Sequence, residues 1–193
     1  MIGLAKIIAG HVTWTRLHKI QKLKFVKAMY VWLFVVPMFS RAFEKVNDVA
    51  TITVFDYTFD LQLTLPFTWQ LFYFSAIFFV LGNLCFYMYC SRLIQDHDNY
   101  SDFEGSGKNL QHLYDYTYEL NVNWDKFIEE NNIKGMELDK AYRKTYWLLH
   151  RKANKHNTTA RFFTGILYSL AIIMIVYVLL ENTHVVVKTM LNL

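Results

Sequence analysis

Long runs of uncharged, mostly apolar residues dominate the pattern of this chain. Phe67 to Ser91 contains no charged residue over 25 positions, and Phe162 to Leu180 contains none over 19. Because a helix rises about 1.5 Å per residue, each run is long enough to cross a hydrocarbon core about 30 Å thick. The pattern predicts two membrane-spanning helices, within residues 67–91 and 162–193.

A shorter uncharged run, Ala28 to Ser40, comes earlier in the chain. Its 13 residues suit a buried or re-entrant helix when taken alone, and Pro37 lies near its end. Lys27 and Arg41 can lengthen the apolar stretch because their long side chains carry the charge toward water. We interpret residues 28–43 as the first of three transmembrane helices.

The periodicity changes to two between the first and second spans. Apolar and polar residues alternate from Tyr57 to Leu65, which is typical of a half-buried strand. A shorter strand, Thr51 to Val54, precedes it with its apolar phase shifted by one residue, and the shift indicates a tight turn or bulge at Phe55-Asp56. We therefore predict a β-hairpin within residues 44–66. Strand edges cannot face lipid, so the hairpin must lie in water, against protein, or beside the hairpin of another copy.

The distribution of charge predicts which side of the membrane each segment occupies. Residues 1–27 have six basic residues and no acidic one, whereas residues 41–66 have two basic and four acidic residues. Residues 92–161 have eleven basic residues. By the positive-inside rule the N-terminus and residues 92–161 are cytoplasmic, and the hairpin is external.

The first segment, residues 1–27, carries apolar residues at spacings of three or four with basic residues between them. This pattern is typical of an amphipathic helix that lies in the lipid headgroup layer, and we predict such an interfacial helix. The alternative is a basic helix that packs on the soluble domain.

Residues 92–161 contain enough apolar and aromatic side chains for a core of two or three helices. Turn-forming residues interrupt the pattern near Asn121 and between Asn131 and Gly135. We predict a small cytoplasmic helical domain here. The predicted fold class is therefore an all-α integral membrane protein with three transmembrane helices, an external β-hairpin and this domain.

Small and polar residues recur on one side of the predicted spans. In lipid, such residues let helices approach closely, either within one chain or between copies. Three of them, Gln70, Ser75 and Asn83, are predicted to face a wet interior. The candidate pore or helix-packing residues are Gln70, Ser75, Gly82, Asn83, Gly165 and Ser169.

Arg151 and His156 form an Arg-x4-His pattern near the end of a predicted helix. The pattern resembles the paired Arg/His signature of the HEPN family of helical RNA-cleaving domains, in a degenerate form with Lys152 directly after the Arg. The resemblance implies that His156 acts as an acid or base and that Arg151 contacts a phosphate. We prefer a regulatory residue pair or a plain basic flank, and we do not predict an enzyme.

The remaining titratable residues show no metal-binding pattern. The histidines lack ligand spacing with cysteine or carboxylate on a common helix face, so we predict no metal and no cofactor. Cys85 and Cys90 are five residues apart and therefore lie on different helix faces, which argues against a disulfide.

The layout as a whole resembles small membrane effectors of bacterial antiviral systems, such as those associated with retrons or RNA-targeting CRISPR systems. This resemblance implies an oligomeric effector of the bacterial inner membrane that permeabilises or depolarises it when the cytoplasmic domain is triggered. The predicted partners are the lipid bilayer, further copies of the chain, and a trigger that is a protein or a nucleotide or nucleic-acid signal. The alternative is a scaffold or accessory subunit of a larger complex without a pore of its own.

Overall fold

The structure is a computed structural model that describes residues 12–44, 49–54, 57–62 and 67–191. The secondary-structure elements in these ranges are listed in chain order: α1 (Trp14–Gln21), α2 (Lys24–Glu44), β1 (Val49–Val54), β2 (Tyr57–Gln62), α3 (Phe67–Tyr89), α4 (Arg92–Asp96), α5 (Tyr100–Gly105), α6 (Leu110–Glu119), α7 (Trp124–Glu130), α8 (Leu138–Lys155) and α9 (Thr158–Met190).

Two of the described helices are long and apolar enough to cross a membrane. These candidate spans are Trp69–Tyr89 within α3 and Thr158–Lys188 within α9. The helices α1 and α2 meet the same criterion only when they are counted together as one broken span. The fold is therefore a predominantly helical chain with two or three helices suited to a membrane, which agrees with the predicted class at this level.

The chain divides into two compact units. The first unit consists of residues up to Lys22 together with Gly82–Gly165, and the second consists of Leu23–Leu81 together with Ile166–Leu193. The long helices α3 and α9 each contribute one end to each unit.

The first unit is a helical domain built around α8. This helix contacts α1, α4, α5 and α6, and α1 also contacts α4. Aromatic rings fill much of the centre: Tyr146 on α8 contacts the rings of Tyr100 and Phe103 on α5, with centroid distances of 5.6 and 5.3 Å. The fully buried large side chains of this unit are Trp14, Phe86, Leu93, Ile94, Phe103, Leu113, Phe127, Tyr146 and Leu149.

Asparagine residues mark the helix ends of the first unit. Asn99, Asn109 and Asn123 cap the N-termini of α5, α6 and α7, because each side chain accepts a hydrogen bond from a backbone N–H of the first turn. Beyond α6 and α7, Asn121 and Asn132 have positive φ values of 53° and 50°, a conformation that asparagine tolerates better than most residues. The helix breaks predicted near Asn121 and Asn131 are confirmed.

The second unit packs α2 and part of α9 against α3. Phe25 of α2 contacts Phe79 of α3 at 5.6 Å between ring centroids, and Trp32 contacts Phe72 at 5.5 Å. Since the partner number falls as the α2 number rises, the two helices are antiparallel. Phe79 also contacts Tyr168 of α9 at 5.8 Å.

The two strands pair with each other as an antiparallel ladder. The register runs from Val49 opposite Gln62 to Val54 opposite Tyr57. The strand was predicted to continue to Leu65 and the turn to lie at Phe55-Asp56, and these positions fall outside the described residues. The external location of the ladder stays a prediction.

Several predicted boundaries differ from the helices that form. The helix α2 begins at Lys24 rather than near residue 28, and α9 begins at Thr158, four residues before the uncharged run. Trp14–Gln21 packs on the helical domain, which is the alternative to the interfacial helix predicted for residues 1–27. Residues 1–11 of that segment lie outside the described part of the chain.

Candidate functional site

The small and polar residues of α3 lie mainly inside the chain. Ser75 is fully buried, and its hydroxyl donates to the backbone oxygen of Phe72 at 2.6 Å, within the same helix. Gly82 and Asn83 are also buried, whereas Gln70 is exposed. Of the three side chains predicted to face a wet interior, only Gln70 is therefore directed outward. The placement of the others favours packing within one chain.

The two small residues of α9 have different surroundings. A Cβ atom added at Gly165 would lie 3.2 Å from Cγ1 of Val12, so the glycine leaves room for the segment just before α1. Ser169, four residues later, is exposed. Gly165 therefore serves a contact inside the chain, and Ser169 is available to lipid or to another copy.

Replacement of these two residues by leucine separates the two roles. We expect Gly165→Leu to destabilise the chain, because a large side chain cannot fit beside Val12 without displacing it. Ser169→Leu should leave the thermal unfolding midpoint of the detergent-solubilised chain nearly unchanged. Circular dichroism measures both. Equal midpoints for the two variants would contradict the assignment of Gly165 to internal packing.

The Arg-x4-His pair lies at the end of α8. Arg151 is exposed, and its Nε donates to the backbone oxygen of Trp147 on the same helix at 3.5 Å. The neighbouring Lys152 lies over the ring of Phe127 at 5.1 Å. His156 follows α8 directly, and its backbone oxygen accepts a hydrogen bond from Nε1 of Trp14 at 2.8 Å. The described contacts of this motif are thus contacts that hold the domain together.

A hydrogen-bonded junction joins α1 to α8 in the first unit. Besides the bond from Trp14, the backbone N–H and the hydroxyl of Thr15 both donate to Oδ1 of Asn154, at 2.9 and 2.8 Å. The backbone oxygen of Asn154 accepts from Nη1 of Arg161 at 2.6 Å. We call Trp14, Thr15, His150 and Asn154 the α1–α8 junction. Asn154 of α8 thus contacts α1 through its side chain and the start of α9 through its backbone oxygen.

His150 completes this junction from within α8. Its Nδ1 lies 3.3 Å from Nδ2 of Asn154, and its ring is stacked on Tyr146 with 5.8 Å between centroids. Burial lowers the pKa of His150 below its ordinary value, because a charged ring would lose its hydration. The neutral imidazole is therefore the form that this packing favours.

A further buried histidine lies between α4 and α5. His97 is held against the ring of Phe103 at 5.3 Å, and its Nδ1 lies 3.8 Å from a carboxylate oxygen of Asp102. Burial and the positive charge of Lys108 lower the pKa of His97, and Asp96 and Asp102 partly oppose this shift. In the ranges that the structure describes, no group of three or more His, Cys, Asp or Glu side chains is arranged to hold a metal ion.

The first unit also carries an open cavity of about 710 Å³ where α3 ends and α6 approaches it. Exposed aromatic and apolar side chains lie there and elsewhere on this unit: Tyr118 is 86% exposed, Leu138 69% and Trp147 41%. Such side chains are candidates for contact with a partner. The cavity is lined by Tyr87, Met88, Cys90, Arg92, Gln95, Asp115, Tyr116, Tyr118 and Glu119.

No family model, curated protein or solved structure matches this chain. Its function must therefore be argued from its own residues.

The sequence analysis missed the α1–α8 junction. Its members are separated by about 140 positions, and the contacts depend on tertiary packing. One signal was available: Trp14 and Leu17 are spaced as the apolar face of a helix, which also suits a helix that packs on the soluble domain. Nothing in the spacing indicated Asn154 as its partner.

Removal of the indole donor tests the junction. We expect Trp14→Phe to destabilise the first unit by about 1–3 kcal/mol, since the variant leaves the His156 carbonyl without its donor and reduces the buried volume. Trp147→Phe is the matched control, because Trp147 is 41% exposed. Thermal unfolding monitored by tryptophan fluorescence and circular dichroism compares them. Equal stability of both variants would show that the hydrogen bond contributes little.

Proposed function

We propose that the protein anchors its helical domain at a membrane and holds a partner there, as a scaffold or accessory subunit without a pore of its own. The main support is the direction of the polar side chains on the candidate spans. Of the three residues predicted to face a wet interior, Ser75 and Asn83 are buried within the chain, and Gln70 alone is exposed. A pore between copies would need such groups on the outer surface.

The outer surface of the candidate spans is suited to lipid contact. Two polar side chains other than tyrosines are exposed in Trp69–Tyr89 of α3 and in residues 160–180 of α9. They are Gln70 and Ser169. The other exposed side chains there are apolar, and lipid tails accommodate them without the cost that water would impose. The exposed large side chains of these segments include Phe74, Leu81, Leu84, Ile173 and Leu180.

The domain offers a surface on which a partner can be held. Tyr118 and Leu138 are strongly exposed, and Tyr118 also lines the open cavity of this unit, so both are candidates for contact with a partner. Residues 1–27 have six basic residues and residues 92–161 have eleven, against two in residues 41–66, and by the positive-inside rule this distribution supports a cytoplasmic location for the domain and the N-terminus. The bacterial inner membrane fits this orientation.

A second function is an oligomeric pore that depolarises the membrane, as in the antiviral effectors that the layout resembles. The observation that favours it is the outward direction of Gln70 on α3 and Ser169 on α9. In an oligomer these two side chains can face neighbouring copies and hydrogen-bond across the interface. This role needs several copies around one channel.

An ion-flux measurement distinguishes the two functions. The full chain is reconstituted in liposomes loaded with a potassium-sensitive dye, with a pore-forming peptide as the positive control. We expect flux equal to that of protein-free liposomes, because the span surfaces present few polar groups. A mass measurement of the detergent-solubilised particle accompanies it, with a single chain as the expected result.

Flux above the protein-free level would contradict the scaffold proposal. In that case Gln70→Leu and Ser169→Leu should each reduce the flux, whereas Ser75→Ala should not, because Ser75 bonds to its own helix. A particle containing a defined ring of copies, together with loss of membrane potential on induced expression in bacteria, would establish the pore instead.

A further inference from the structure

The α1–α8 junction depends on the orientation of one carboxamide. Oδ1 of Asn154 accepts two hydrogen bonds from Thr15, one from its backbone N–H and one from its hydroxyl. If the amide were turned over, its NH₂ group would face the backbone N–H of Thr15, and two donors would oppose each other. The two bonds from α1 therefore hold the amide in one orientation.

That orientation also decides which nitrogen of His150 carries a proton. The NH₂ group of Asn154 is a donor, and it faces Nδ1 of His150 at 3.3 Å. Nδ1 must therefore be the unprotonated, accepting nitrogen, and the proton of the neutral ring is on Nε2. Nε2 is buried, with no hydrogen-bond partner among the residues that the structure describes.

Protonation of His150 is incompatible with this arrangement. A second proton on Nδ1 would point at the hydrogens of the Asn154 amide, and the positive charge would be buried beside Tyr146 and Trp147. The charged ring can be accommodated if it moves toward water or if the amide turns over. Either movement disturbs the group that holds the backbone of Thr15.

We propose that the α1–α8 junction is an acid-sensitive latch, in which protonation of His150 releases α1 from the helical domain. The latch is independent of whether the protein acts as a scaffold or as a pore. Release would expose the buried face of α1, which carries Trp14 and Leu17 beside its basic residues. A freed helix of this kind matches the interfacial helix that the sequence predicted for this segment.

Few negatively charged groups are available to stabilise a protonated His150, and α9 brings a positive charge instead, the buried Arg161 that donates to the backbone oxygen of Asn154 at 2.6 Å. The elements packed against α8 bring Asp98, which pairs with Lys22 at 2.6 Å and lies 3.6 Å from His18, and Asp102 beside His97. Burial, and after it the charges of Asp102 and Asp98, raise the pKa of Tyr146, whereas burial alone acts on His150. No ion pair among the described residues offers the protonated His150 a counter-charge.

The direction and size of the pH dependence follow from proton linkage. Since the pKa of His150 is lowered when α1 is docked, the released state binds the proton more tightly. Docking is then fully stable above the ordinary value of 6.5 and weakens as the pH falls below it. One histidine that protonates only in the released state weakens docking by about tenfold at one pH unit below its free pKa.

Hydrogen exchange of the full chain in nanodiscs tests the latch at pH 7.5 and 5.5. Protection factors are corrected for the intrinsic exchange rate at each pH, and peptides of α1 are compared with peptides of α6 and α9. We expect α1 alone to lose about tenfold protection at pH 5.5. His112→Gln is the matched control, because His112 is exposed and glutamine suits its capping position.

Two variants isolate the mechanism. Burial also lowers the pKa of His18 on α1, so both variants are made in a chain that carries His18→Gln. In that chain His150→Gln retains an acceptor for the Asn154 amide but cannot titrate, so α1 should stay protected at pH 5.5. Asn154→Asp keeps an acceptor for Thr15 and places a carboxylate beside His150, so acid should no longer release α1. The proposal is overturned if α1 protection does not change in the unmodified chain, if α6 loses protection equally, or if both variants respond to acid as the unmodified chain does.

Discussion

The hydrocarbon interior of a membrane offers no hydrogen-bond partner to a polar group, and this constraint accounts for most of the architecture. Every backbone group that crosses it must be satisfied within its own helix. The candidate spans Trp69–Tyr89 and Thr158–Lys188 meet this requirement with single uninterrupted helices. In α3, Ser75 and Asn83 are buried, and the hydroxyl of Ser75 bonds to its own helix.

The part of the first unit outside the candidate spans is held together by a different kind of contact. Aromatic rings fill its centre. Asparagine side chains cap the N-termini of three of its helices, and asparagines with positive φ follow the ends of two. Polar groups inside it are arranged in pairs with one acceptable orientation, as in the bonds from Thr15 to Asn154. Such pairs add specificity because the alternative arrangements leave donors opposed to donors.

The buried side chains of the candidate spans are mostly apolar. The domain contains His97 and His150, whose neutral forms are favoured by burial. In the function that we propose, the candidate spans attach the protein to the membrane, and the titratable and exposed groups of the helical domain are available to a partner.

The elements with strong local signals were predictable from the sequence. The breaks near Asn121 and Asn131 follow from the tolerance of asparagine for positive φ. The limits of α2 and α9 could not be predicted in this way, because an uncharged run marks the part of a helix that is suited to lipid and not the whole helix. Thr158 to Arg161 continues α9 before the uncharged run, and the buried guanidinium of Arg161 donates to the backbone oxygen of Asn154.

The sequence by itself determined that this chain has long apolar helices joined by a small polar domain, because runs without charge and the periodicity of apolar residues are local properties. Only the tertiary structure decided which polar residues face inward and where α1 lies. The apolar face of α1 that would suit the lipid headgroup layer is the same face that packs on the helical domain. The choice between the headgroup layer and the helical domain depends on the partner atoms of Asn154 and His156, which are distant in sequence and near only in the folded chain.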